Sequence, residues 1–68
     1  MKTYGRLRER IKIKYEKIDA FAEDMKKSRT SISLKLNGKV PWTLSEIELA
    51  CKLLQIQKTE IVDYFFYD

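Results

Sequence analysis

Sixty-eight residues, 44% apolar and 35% charged, suffice for one small domain with one core and an almost wholly ionic exterior, which excludes a two-domain enzyme. The single cysteine, Cys51, rules out an intramolecular disulfide, and the absence of histidine removes the usual general base near neutral pH and the commonest metal ligand. The net charge of +4 is unevenly spread: Met1 to Lys39 carries twelve Lys plus Arg against five Asp plus Glu, and Val40 to Asp68 two against five. That is a positive face if the first half lies together on one side, and otherwise a solvated helix surface.

Tyr4, Leu7 and Ile11 recur at i, i+3 and i+7, which predicts an amphipathic helix from about Thr3 to Lys14, with Arg6, Arg8, Arg10 and Lys12 outside the apolar stripe. Ile18, Phe21, Ala22 and Met25 repeat the pattern and predict a second helix of about two turns, ending before Lys26 and Lys27. Ser28 is placed to cap a third helix, its hydroxyl accepting from a backbone N–H of the next turn.

From Ile32 two readings compete. Ile32, Leu34 and Leu36 alternate with Ser33 and Lys35 and lead into Asn37-Gly38, a short-range hairpin signal. The return arm Lys39-Val40-Pro41-Trp42 is very short, however, and carries a proline that cannot donate to a ladder. In the helical reading, Arg29 to Asn37 is a helix, Ile32 and Leu36 share a face at i, i+4, Gly38 ends it in the left-handed region, and Leu34 points outward.

Thr43-Leu44-Ser45-Glu46 spells a capping box and opens a fourth helix with Leu44, Ile47, Cys51 and Leu54 as its stripe, widened by Ala50 and Leu53; Ile56 folds back under its end. A last short helix is expected from near Thr59, burying Ile61, Val62 and Phe65. The aromatic tail Tyr64, Phe65, Phe66 and Tyr67 then either seals the core or forms an interface.

Phe21-Ala22 through Met25, Ser28-Arg29-Thr30-Ser31-Ile32-Ser33 and Asn37-Gly38-Lys39 resemble the helix-turn-helix of the λ-repressor-like, Cro/C1-type DNA-binding proteins, especially the small phage-type regulators of that group. Pro41-Trp42-Thr43, Glu46-Ile47 and Tyr64-Phe65-Phe66 extend the likeness over nearly the whole chain. The resemblance implies an all-α fold, a compact four- to five-helix bundle in which residues 1–68 form one domain and the motif spans about 18–37, and it favours the helical reading of Ile32 to Leu36. Two departures stand out. Where the motif's turn usually has glycine followed by an apolar residue this chain has Lys26 and Lys27, and a positive φ is less comfortable at Lys26 than at glycine; where many relatives have a polar Gln at the start of the second helix this chain has Ile18.

A recognition helix enters the major groove N-terminus first. The base contacts this implies are Arg29, Thr30, Ser33 and Leu34: Arg29 bidentate to guanine, Leu34 against a thymine methyl. For Arg29 the plainer alternative is solvent, and for Leu34 a partner subunit. Phosphate contacts are expected from Lys35, Asn37 and Lys39, with Ser28 and Lys17 near helix starts and Thr43 at the fourth helix N-terminus. Arg6 and Arg10 are either flanking contacts or part of a solvated face.

The expected function is therefore sequence-specific binding of double-stranded DNA as a transcriptional regulator, working as a homodimer on a pseudo-palindromic operator because one helix reads few base pairs. The second class is a protein-interaction regulator, antirepressor- or antitoxin-like, that keeps the fold but binds another repressor. No catalytic constellation, metal site or cofactor is expected. No apolar run approaches the roughly 18–20 residues of a membrane span, and the basic N-terminus lacks a signal peptide's apolar stretch, which points to the cytoplasm.

Overall fold

Apolar residues three and four apart gather on one side of each helix, and the chain folds by turning those sides inward. The computed structural model describes residues 4–66. Among them are α1 (Gly5–Tyr15), α2 (Ile18–Asp24), α3 (Arg29–Leu36) and α4 (Leu44–Leu54), then a 3-10 turn (Lys58–Glu60) and a π-helical turn (Val62–Phe66), with no strand. The fold is the all-α bundle expected, and Ile32 to Leu36 is helix rather than hairpin. The radius of gyration, 10.6 Å, matches the roughly 11 Å of a compact chain this size.

Leu7 and Ile11 of α1, Phe21 and Ala22 of α2, Ile32 and Leu36 of α3, and Ala50 and Leu54 of α4 are almost wholly buried in one core. α2 packs on both α1 and α3, while α1 also meets α4 and the C-terminal turn. Trp42 closes the open end, edge-on to Phe65 at 5.4 Å and to Tyr4 at 6.3 Å. Such T-shaped contacts suit the ring quadrupoles.

Each helix is stopped locally. α1 turns into α2 through Glu16 at φ 67°, where the Lys17 N–H donates to the Tyr15 carbonyl at 2.7 Å. This tight three-residue turn is strained for a residue with a Cβ. α2, α3 and α4 all end in Schellman motifs, with Lys26 (φ 59°), Gly38 (φ 74°) and Gln55 (φ 57°) in the left-handed position. The Lys27 N–H reaches the Ala22 carbonyl, that of Lys39 reaches Leu34, and that of Ile56 reaches Cys51. Lys26 thus adopts the positive φ that its place in the turn requires.

Three expectations need correction. α1 begins at Gly5, because Tyr4 sits at φ 52°, off the helix, while its ring is still buried; Thr3 lies outside the described residues. Leu44, assigned to the buried stripe of α4, is 73% exposed because it occupies the first helical position, beyond the edge of the core. Val62 is exposed as well: the wider π-helical turn carries Phe65 inward and Val62 out. Tyr67, in the aromatic tail, lies outside the described residues.

Candidate nucleic-acid interface

At 100° per residue, Arg29, Thr30, Ser33, Leu34 and Asn37 fall within one arc of about 140°, and Ile32, Lys35 and Leu36 fall outside it. Burial follows that arc: Arg29, Thr30, Leu34 and Asn37 are exposed, Ser33 is half-buried, and Ile32, Lys35 and Leu36 are buried. The arc opens at the N-terminus of α3, where the Ser28 hydroxyl accepts from the Ser31 N–H at 3.0 Å. All four residues expected to reach bases therefore share one outward side of α3.

Lys35 does not belong with the phosphate contacts. Its side chain is only 7% exposed, and its Nζ lies 3.2 Å from Glu46 Oε1 and 3.3 Å from the Pro41 carbonyl. To extend to a phosphate this lysine would have to give up its buried pairing with Glu46. Glu46 completes the site. It accepts from the Thr43 N–H at 2.8 Å, the Thr43 hydroxyl accepts from the Glu46 N–H at 3.2 Å, and Lys27 Nζ stands 3.5 Å from the second carboxylate oxygen. Burial pushes the Glu46 carboxyl up, but the Thr43 N–H and the Lys35 ammonium outweigh it and hold the pKa below its ordinary value. Thr43 is thus occupied as a cap, with a carboxylate beside it at the helix start.

The arginines of α1 are also engaged inside the molecule. Arg8 Nη2 donates to the Leu36 carbonyl at 3.0 Å and to Asn37 Oδ1 at 2.6 Å, closing the end of α3. Arg10 does the same for α4, through Nε to the Leu54 carbonyl at 2.9 Å and Nη2 to that of Gln55 at 3.2 Å. Lys14 Nζ reaches Gln55 Oε1 at 2.6 Å, and Arg6 faces Asp63 at 3.8 Å. Cations at helix C-termini answer both the orphan carbonyls and the negative end of the helix dipole. Arg10 is thus half-buried against the end of α4.

The excess charge of the first half is thus largely consumed by helix ends and by Glu46. Exposed cations that flank α2 and α3 along the chain are Lys17 before α2, Lys26 and Lys27 in the turn, Arg29, and Lys39 beyond α3. Arg29 Nε donates to Asp19 Oδ1 at 2.6 Å, with both side chains about two-thirds exposed. Sequence reading passed over Asp19 and Lys26 as members of this side.

An apolar groove of about 470 Å³, lined by no residue of α2 or α3, runs between α4 and the C-terminal turn. Ile47, Cys51, Ile56 and Ile61 form its floor, and exposed Leu44 and Phe66 rise beside it. Glu48, Lys52 and Lys58 line its rim. Burial pushes the Cys51 thiol up, which leaves it a weak nucleophile.

These features define a small all-helical domain with one outward polar helix side and one apolar groove. The chain belongs to the family described as Protein of unknown function (DUF739), whose model matches residues 2–68. No curated protein matches it. No helix among the described residues is long and apolar enough to cross a membrane.

Proposed function

We propose that the chain is a sequence-specific, double-stranded-DNA-binding transcriptional regulator of phage repressor/Cro type, with α2 and α3 as its helix-turn-helix and α3 in the major groove. The observation that carries this reading is the outer arc of α3, where Arg29, Thr30, Ser33 and Leu34 project together beside exposed lysines. Arg29 reads a guanine, Leu34 meets a thymine methyl, and Thr30 and Ser33 contact the base edges between them. Lys39, Lys17, Lys26, Ser28 and the amide of Asn37 hold phosphates and set the register. Regulation on this reading is cytoplasmic and needs no catalysis.

The working unit is a homodimer joined through the groove. A two-fold interface must match itself, and this one pairs protruding Leu44 and Phe66 with an apolar hollow, and Glu48 with Lys52 and Lys58 of the other copy. Two bodies about 25 Å across, side by side, can present their α3 helices about one DNA turn, roughly 34–36 Å, apart.

Selection of bound duplexes from a random pool at two salt concentrations, beside sedimentation of the free protein, tests the reading. An enriched palindromic half-site, lost with Arg29→Ala, is the expected result, with log affinity falling by about 0.9 per phosphate contact for each unit of log salt. The groove also favours a second reading, in which its occupant is another repressor protein. A pool without enrichment, together with loss of regulation on Phe66→Ser, would select that reading.

A further inference from the structure

Arg29 and Asp19 are the first-turn residues of α3 and α2, and the crossing of these helices brings them together at the edge of the outer arc. The contact uses one corner of the guanidinium: Nε donates to Asp19 Oδ1 at 2.6 Å. A carboxylate met through Nε lies on the side of the guanidinium, away from the end-on face that its two terminal nitrogens share. A carboxylate at Nε fixes the last rotors of the arginine while leaving the end-on pair of donors, the pair that matches O6 and N7 of guanine.

We propose that Asp19 is a specificity-determining positioning residue: it holds Arg29 with its terminal nitrogens turned outward, so that the domain selects half-sites with guanine where α3 first meets the bases. The inference rests on the DNA-binding reading above. Two physical effects combine. Ordering Arg29 before binding removes part of the rotamer entropy that the contact would otherwise cost. In addition, Asp19 cancels the charge of Arg29 as phosphates sense it, so the pair adds little to sequence-independent attraction and much to discrimination.

The test compares the full chain with Asp19→Ala, Asp19→Asn and Arg29→Ala, on the selected duplex, on the same duplex with the guanine replaced by adenine, and on an unrelated duplex. The wild-type protein is expected to prefer guanine by about tenfold or more. Asp19→Ala should reduce that preference to about threefold, and should also raise affinity for the unrelated duplex and steepen its salt slope by up to about 0.9, because an unneutralised arginine is then free to pair with phosphate. Asp19→Asn, which keeps an acceptor oxygen without the charge, should fall between. Thermal melting should barely change, since exposed ion pairs contribute little to stability. In the background of Arg29→Ala, adding Asp19→Ala should have no further effect on base preference.

A gain in sequence-independent binding is the readout that a merely structural aspartate would not give. Wild-type guanine preference in Asp19→Ala, alongside its loss in Arg29→Ala, would overturn the Asp19 assignment and leave the DNA-binding reading intact. If the wild-type protein enriched no duplex at all, the DNA-binding reading would fail, and this inference with it.

Discussion

Lys35 and Glu46 offer the sharpest test of how charge is used in this domain. Replacing Lys35 with Met keeps the length of the apolar stem and removes only the ammonium, so Glu46 is left with the Thr43 N–H at 2.8 Å and the half-exposed Lys27 at 3.5 Å. Breaking a buried pair on one side costs about 3–5 kcal/mol. Because Lys27 partly substitutes, the expected cost is at the low end, about 3 kcal/mol. A core this small rarely supplies more than about 3–5 kcal/mol in total, so the variant should be close to its unfolding midpoint at room temperature. Glu46→Gln keeps an oxygen for the Thr43 N–H but leaves the Lys35 ammonium with the Pro41 carbonyl, again at a cost of about 3 kcal/mol. The double variant buries neither charge and should be at least about 1 kcal/mol more stable than the sum of the two changes implies. Urea unfolding near 10 °C, followed by circular dichroism, measures all four corners of the cycle. Additive effects, or a Lys35→Met variant within about 0.5 kcal/mol of wild type, would refute the ion-pair account and return Lys35 to the surface.

Lys26→Gly should stabilise the domain by roughly 0.5–1 kcal/mol, since glycine removes the left-handed penalty at φ 59° and gives part of it back as unfolded-chain entropy. Thermal melting should rise by about 4 °C, and a fall would contradict the Schellman geometry. Arg10→Ala frees the carbonyls of Leu54 and Gln55 and should cost about 1–2 kcal/mol without altering the salt slope of DNA affinity. Lys39→Ala should do the reverse, lowering that slope by about 0.9; an equal slope change in both variants would mean that Arg10 touches phosphate. Glu46 has a folded pKa below its unfolded value of 4.5, so its contribution is complete above that pH and is lost as the pH falls toward and through the folded value. Urea midpoints between about pH 3 and 6 should therefore drop more steeply for the wild type than for Glu46→Gln. Cys51, buried at the groove, should react with a thiol reagent more slowly at high protein concentration than at low if the groove joins two copies, and equally at both if it does not.

How far the sequence could be read follows from what each pattern encodes. Period 3.6 located α2 and α4 because burial imposes that period directly, whereas Ile32, Leu34 and Leu36 of α3 also alternate and the family resemblance favoured helix there; Ser28, Thr43 and Gly38 marked helix ends because their backbone or hydroxyl chemistry acts within one turn. Lys26 was less legible: lysine at that turn reads as a departure from the motif's glycine, and the structure nevertheless holds it at φ 59°. Lys35 was not legible, although a signal existed. On the α3 wheel it lies about 60° from Ile32, inside the buried arc, and Glu46 at the third position of the α4 capping box had an oxygen to spare. Joining the two required knowing that the start of α4 packs beside the end of α3, a tertiary fact that no local pattern carries. Arg8 and Arg10 were opaque on the same ground, since their acceptors are carbonyls 28 and 44 residues away. A charge count therefore overstates a binding surface wherever helix ends need cations. In this domain Arg8 and Arg10 of α1 are taken by those ends, and among the described residues the exposed cations left unpaired along α2 and α3 are the shorter set of Lys17, Lys26 and Lys39.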